Sequence, residues 1–463
     1  MRDFQFLSLT KELEKLFSKK NVLALAMSVL ALLSLLVGCG GGGGDSGSDD
    51  DEGALGYEFT TPVLDGILTG YMGDLSSPNV PCNGTTYYLS ANVSSEGSGT
   101  SSSPFKTFTE AARHLQPGDT LIIQGTFKNP ERIKLSSIHG NAGIYITIKG
   151  ETGAALSGEE ISGNNNKILK IEDCSYLKIE GLTFKDHVNT KNGGGGIGVY
   201  PPANHIVIDN CTFTNLMTTH ETDHGTTNGI IVYGNSTSST IHDVFISNNT
   251  FSNMKTGWAE CLTVTANTEY VNIVGNTINT TGNIGIDVGG NYGYCKDPSK
   301  DFARYIYIYD NTVINCVSPN ATAGSIYCDG GQHIIIRNNH LSNGQTGFST
   351  GSEQVPKNEN YSTGDILIEG NSVDDFGHGV WHCGGYRKEL GWVQNVRFTN
   401  NTGTNTGYGY HCAVIVFNKC RNIDFSGNTF TNPDHSGVTK VYYSFKDSPY
   451  TKNVSDQNNT WGW

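Results

Sequence analysis

The chain has 463 residues, a formal net charge of −14, and charged residues at 16%, below the ~25% of an average soluble domain. The negative balance argues against nucleic acid as a partner. It also makes an anionic glycan awkward unless a cation or a local basic patch intervenes. Glycine is abundant, with 58 residues, and together with the many asparagines it favours strands and turns over helices.

Lys19 and Lys20 precede an apolar run from Val22 to Val37, which ends in Leu36, Val37, Gly38 and Cys39. A charged start, an apolar stretch and a small residue before cysteine form an export signal. The pattern resembles the bacterial lipobox, which implies that Cys39 is lipidated as the first residue of an exported envelope or surface protein. A transmembrane helix is the alternative, but the run is near the lower limit of roughly 17 residues and a glycine tract follows at once. The expected organisation is a signal over 1–38, a Gly/Asp-rich tether over 39–55, an extension over 56–84 and one large domain over 85–463. Ten cysteines follow Cys39, none in C-x-x-C spacing, so a zinc thiolate site is not expected. Export permits disulfides, but many of these cysteines fall in strands, and buried free thiols are the expectation.

Residues 87–127 open the domain. Phe108, Ala111, Ala112 and Leu115 share one helical stripe, which predicts a short helix plugging the end of the fold, with Lys106 and Arg113 structural. Beyond it, one pattern recurs: "LKIEGLTF", "IVIDNCTF", "VFISNNTF", "VNIVGNTI", "IYIYDNTV" and four further copies. Each is an alternating strand, a turn and a second short strand. The turn column reads Gly181, Asn210, Asn249, Asn276, Asn311, Asn339, Asn371, Asn401 and Asn428, with Asn459 as a closing member. A repeat of about 30 residues built of alternating strands is a β-solenoid. The asparagine column supplies amides that bond backbone in a tight turn and the next asparagine along. The repeat resembles the right-handed parallel β-helix of the pectate-lyase-like superfamily, and the segment 87–127 is similar to the opening of its secreted lyases and glycosidases. The resemblance implies an all-β solenoid of about ten coils, a groove along the first sheet that binds polysaccharide, and a monomer.

Each coil carries a third strand before the one leading to the asparagine. These are "GIGVYPP" (196–202), "GIIVYGN" (229–235), "CLTVTAN" (261–267), "GIDVGGN" (285–291), "SIYCDGG" (325–331), "GFSTGSE" (347–353) and "GVWHCGG" (379–385). Alternation turns the odd positions outward: Tyr200, Tyr233, Thr263, Asp287, Tyr327, Asp329, Ser349, Glu353 and Trp381. Asp287, Asp329 and Glu353 then form a diagonal across three coils with neighbours about 8 Å apart. That spacing suits an inverting glycosidase, and the pair Asp287 and Asp329 also suits Ca²⁺; a solvated acidic face is the bland alternative.

Loops before this sheet add His220, Glu221, Asp223 and His224, then Trp258 and Glu260, and Lys185 with His187. A uronan lyase needs a base for the C5 proton and a cation or positive side chain for the carboxylate. On the far side, Arg304, Arg387 and Lys388 are candidates to clamp a sugar carboxylate, with Arg304 equally suited to brace Asp297 or Asp301. Tyr200, Tyr233, Trp258, Tyr327 and Trp381 suit sugar stacking. No enzyme family is matched through its full catalytic set: "DDFGHG" (374–379) is similar to polygalacturonase elements that stand apart there. The expected function is a polysaccharide lyase acting by β-elimination, with Asp287, Asp329, Glu353, Glu260, His224, Arg304 and Lys388 as candidate catalytic residues. The alternatives are a glycoside hydrolase using Asp287, Asp329 and Glu353, and a non-catalytic glycan-binding surface lipoprotein.

Overall fold

The computed structural model describes residues 82–128, 133–161, 166–190, 192–219, 225–318, 323–385, 391–408, 413–432, 440–444 and 451–462. Leu36, Val37, Gly38 and Cys39, and with them His220, Glu221, Asp223, His224, Arg387 and Lys388, lie outside them. Strand pairing along the coil is parallel throughout, in one continuous sheet of 22 strands and a second of 12. This is a parallel β-solenoid, as the repeat predicts, with about eleven turns where about ten are expected. One coil illustrates the path: Leu262–Ala266 in the first sheet, Thr268–Val274 in the second and Thr277–Thr281 in the third. The first two run on as one sheet because only Asn267 separates them.

No single coil buries its inner face; stacking does. Phe184, Phe213 and Phe251 lie face to face at 4.9 and 4.6 Å between ring centres. Further along, Trp381, Phe398 and Phe425, from strands of the larger sheet, form a separate stack. Among the described residues eight cysteines are buried free thiols. The helix spans only Phe108–Ala112, with Thr107 capping its start and Ala111 buried.

The asparagine ladder exists, but it begins one coil later than the sequence suggests. From Asn249 to Asn459 each amide N–H donates to the next asparagine's Oδ1, at 2.9–3.1 Å. Asn210 is not a member: Cys211 occupies the position, and its backbone N–H donates to Asn249 Oδ1 at 2.9 Å. Asn210 instead sits one residue earlier, at φ 52°, in the left-handed corner that Asn248, Gly275, Asp310 and Asn338 fill in later coils. Glycine, asparagine and aspartate tolerate that conformation.

A second left-handed column was not legible in the sequence. Tyr176, His205, Asp243, Tyr270, Tyr305 and His333 open successive second-sheet strands at φ 50–59°, and Asp365, Asn395, Asn422 and Asn453 continue it. Their side chains stack or bond from coil to coil. Tyr270, Tyr305 and His333 are parallel rings at 5.1 and 4.8 Å, and Asn395 donates to Asp365 at 2.9 Å.

Candidate active site

The strand register fixes the carboxylate diagonal. Asp287 pairs with Tyr327 on the next coil, and Asp329 pairs with Gly351 on the one after. Asp329 is therefore one strand and two residues from Asp287, and Glu353 repeats the step. At strand spacing this places neighbouring Cα atoms about 8 Å apart. The side chains leave the core, but the groove they enter is not open water. Asp287 is 7% exposed and Asp329 2%, whereas Glu353 is exposed on one side. Gly351 makes room beside them, since a Cβ there would lie 2.5 Å from the Tyr327 hydroxyl.

The loop after Asp287 supplies the cover. Its Tyr292 hydroxyl donates to Asp329 and lies 3.2 Å from Glu353 Oε2. One phenol thus joins both carboxylates. Asp301 holds this loop in shape by accepting from the N–H groups of Gly293 and Cys295, and Asn291 ties it to the carbonyl of Tyr361. Sequence reasoning assigned this loop to the far side and missed Tyr292; the Tyr-Gly-Tyr in the longest turn was the available signal.

Glu260 joins the group from the preceding coil. Its Oε2 accepts from the Thr263 hydroxyl at 2.9 Å, and Thr263 pairs with Asp287. Below it runs a buried polar chain. Lys167 donates to Asn228 Oδ1 at 3.0 Å, and the Asn228 amide donates to Thr263 Oγ1 at 3.0 Å. Gly195 lies between them at φ 135°, where any Cβ would strike the Asn228 backbone.

Burial raises all four acids, and acidic neighbours add to the shift at Asp287, Asp329 and Glu260. Asp287 and Asp329 are held well above the usual carboxylate range, first by burial and then by their acidic neighbours. Burial pushes Glu260 up to about 7, against the Thr263 hydrogen bond. Burial raises Glu353 too, against the Tyr292 hydrogen bond. Lys167 moves the other way, down to about 7, because its ammonium is buried. The acids differ in one respect. Asp329 accepts from the Tyr292 hydroxyl and from the Glu353 N–H at 2.6 Å, whereas Asp287 Oδ1 is buried without a partner. Ionisation is therefore easier at Asp329, and Asp287 holds its proton longest.

Tyr200, Tyr233, Tyr294 and Tyr292 form a continuous line of rings, 5.1–6.2 Å apart, that ends at these carboxylates. Trp258 is 37% exposed in the loop that carries Glu260. Trp381 does not belong to the groove: it is fully buried in the core, with Nε1 donating to Thr350 Oγ1. It pairs with Phe348, so His382, opposite Ser349, holds the outward position. A slip of one residue reverses every side chain. Arg304 is committed elsewhere, 2.6 Å from Glu269 and 3.3 Å from Asn267 Oδ1; it braces the second sheet, not Asp297 or Asp301. His187 is buried and accepts from the Gly195 N–H at 3.1 Å, and Lys185 pairs with Asp186.

No family model matches the chain. It is 26% identical over 428 residues to Uncharacterized protein YwoF of Bacillus subtilis (strain 168), covering 87% of each chain. Among solved structures it superposes on GH136 lacto-N-biosidase from Eubacterium ramulus with a TM-score of 0.54 at 13% identity, over 81% of this chain and 68% of that one. It also superposes on a hyperthermoactive exopolygalacturonase from Thermotoga maritima with a TM-score of 0.50 at 11% identity, over 76% and 86%. At such identities the likeness establishes the fold alone, a parallel β-helix.

Proposed function

We propose that the protein hydrolyses glycosidic bonds of a polysaccharide bound along the first sheet. The observation that carries this is the contrast between two acids one strand and two residues apart. Asp287 is buried without a hydrogen-bond donor on Oδ1, and Asp329 is held by two donors. Asp287 keeps its proton and delivers it to the glycosidic oxygen as general acid. Asp329, ionised, draws a proton from water attacking the opposite face of the sugar. Their Cα atoms stand about 8 Å apart with both side chains outward, and inverting pairs hold their carboxyl groups ~6.5–9.5 Å apart to leave room for that water. The cycle closes when Asp329 releases the proton it gains through Tyr292 and Glu353 to solvent and Asp287 takes one back from solvent. The tyrosine line and Trp258 offer sugar-stacking faces, and the two structural neighbours bear the names of carbohydrate-active enzymes.

β-Elimination, the expectation from the sequence, needs cationic help. Of the candidates for that role, Arg304 is engaged by Glu269, and His224 and Lys388 lie outside the described residues. Incubation of the purified chain with a glycan panel separates the readings. New reducing ends without absorbance near 235 nm support hydrolysis. Absorbance at 235 nm that chelator abolishes supports Ca²⁺-assisted elimination at Asp287 and Asp329, and binding without either product supports a glycan-binding protein. The export reading remains part of the proposal: a lipid on Cys39 holds a monomeric chain at the envelope, and Cys39→Ser releases it from the membrane fraction. A full-length variant that stays with membranes makes residues 22–37 the anchor instead.

A further inference from the structure

Away from the groove, at the corner between the first and second sheets, two coils bring His205, His242 and Asp243 together. Among the described residues this is the group of histidine, cysteine and acidic side chains whose ligand atoms, one from each, all lie within 4.8 Å of one another. The backbone explains the convergence. His242 pairs with Asn204, so Asp243 stands directly opposite His205, both in the left-handed column at φ 56° and 52°.

The groups are not simply satisfied by one another. Asn204 Oδ1 lies 2.8 Å from His205 Nδ1; an amide oxygen only accepts, so the ring proton sits on Nδ1. That leaves the Nε2 lone pair facing Asp243 Oδ2 at 3.7 Å. Two acceptors opposed at that distance are what a bound cation joins. The outer partner that fixes the tautomer, here Asn204, is a regular feature of metal-binding histidines. Tyr176 stacks on His205 at 4.1 Å and holds its plane. Asp243 has a side chain 5% exposed, and its Oδ1 is buried without any partner. His242 Nδ1 hydrogen-bonds Asp243 Oδ2 at 2.6 Å, a contact that an entering cation replaces, and His242 stays about one-third open to solvent, which gives an ion a path in.

We propose that His205, His242 and Asp243 bind one divalent transition-metal ion of the zinc class. Two imidazole nitrogens and one carboxylate oxygen match borderline cations and supply too few oxygens for Ca²⁺ or Mg²⁺. Ligands about 2.0–2.1 Å from Zn²⁺ lie roughly 3.4 Å apart in a tetrahedron, a small adjustment from the arrangement present. Three protein ligands leave one position for water, and the ion clips two neighbouring coils together. The same column contains its own control: His333 Nδ1 lies 3.4 Å from Asp365 Oδ2, a His–Asp pair in the equivalent setting without the third ligand.

The test is calorimetric titration of the full metal-stripped chain with Zn²⁺, with Co²⁺ absorption as the second readout. The expected result is one bound equivalent whose affinity falls at least about tenfold in His205→Ala and in Asp243→Asn and is unchanged in His333→Ala. His242→Gln, at the exposed ligand, serves where a buried substitution fails to fold, and it too weakens binding. Absence of a binding event, wild-type affinity in folded His242→Gln, or an equal loss in His333→Ala overturns the proposal.

Discussion

The backbone N–H of Glu353 donates to Asp329 Oδ1 at 2.6 Å, so the turn that ends one coil's strand holds the carboxylate of the coil before it. The Tyr292 hydroxyl binds the other oxygen. Asp329 is thus oriented by its neighbours, while Asp287 is oriented mainly by its own strand. Asp287→Asn and Asp329→Asn are each expected to lower turnover by about 10²–10⁴-fold or more, the usual cost of losing a general acid or base. Neither exchange empties volume, and each removes a repelling acid, so the unfolding midpoint stays at or slightly above that of the parent chain. Near-parental rates in both variants would move the chemistry away from this diagonal.

Tyr292→Phe isolates the phenol. The ring keeps its stack on Tyr294 at 5.4 Å, but the bonds to Asp329 and Glu353 vanish. A hydrogen bond to a charged group contributes about 1.5–3 kcal/mol, so the rate falls about 10–100-fold. The loss is expected in kcat, with KM little changed, because stacking remains. A pure KM effect would make Tyr292 a binding residue only.

How far the sequence carried this picture depended on periodicity. Asp287, Asp329 and Glu353 sit in strands whose alternation is clean, and register follows from alternation. Trp381 sits in Val380, Trp381, His382 and Cys383, three apolar residues in four, where alternation does not specify the face. Aligning Gly379 with Gly347 placed it outward; the pairing Phe348 with Trp381 shows one extra residue in that coil. Asn210 slipped for a related reason, since asparagine suits both the ladder and the left-handed corner before it. For Tyr292 the only signal was the Tyr-Gly-Tyr of its turn, since a loop's path leaves no period in the sequence, and Lys167 was beyond reach because a long side chain's route under a sheet leaves none.

The ladder register has its own test. Asn311 is 1% exposed; its amide donates to the Ile273 carbonyl at 2.8 Å, and its Oδ1 accepts from the Asn276 N–H at 2.9 Å. Asn311→Ala leaves buried donors and acceptors unpaired at about 1–3 kcal/mol each, so a loss of several kcal/mol in unfolding free energy is expected. Asn210 is exposed at φ 52°, where glycine fits without strain. Asn210→Gly should stay within about 0.5 kcal/mol of the parent. Equal losses at both positions in denaturant titrations would return Asn210 to the ladder.

The last prediction concerns pH and needs no substrate. Glu260 has an ordinary value of 4.5 and stands at about 7 in the folded chain. Between those values the native state holds a proton that the unfolded state has lost, so stability falls as pH rises. Asp287, Asp329 and Glu353 shift the same way and lengthen this falling limb. Lys167 acts with the opposite sign: its value drops from 10.5 to about 7. From about pH 7 to 10.5 the unfolded chain holds the extra proton, and stability rises with pH. Unfolding free energies measured from pH 4.5 to 10 should therefore show both limbs. Glu260→Gln flattens the first and leaves the second, while Lys167→Met flattens the second and leaves the first. Unchanged slopes in either variant would mean that the group titrates alike folded and unfolded, and the buried chain from Lys167 to Glu260 would then carry no charge coupling to the groove.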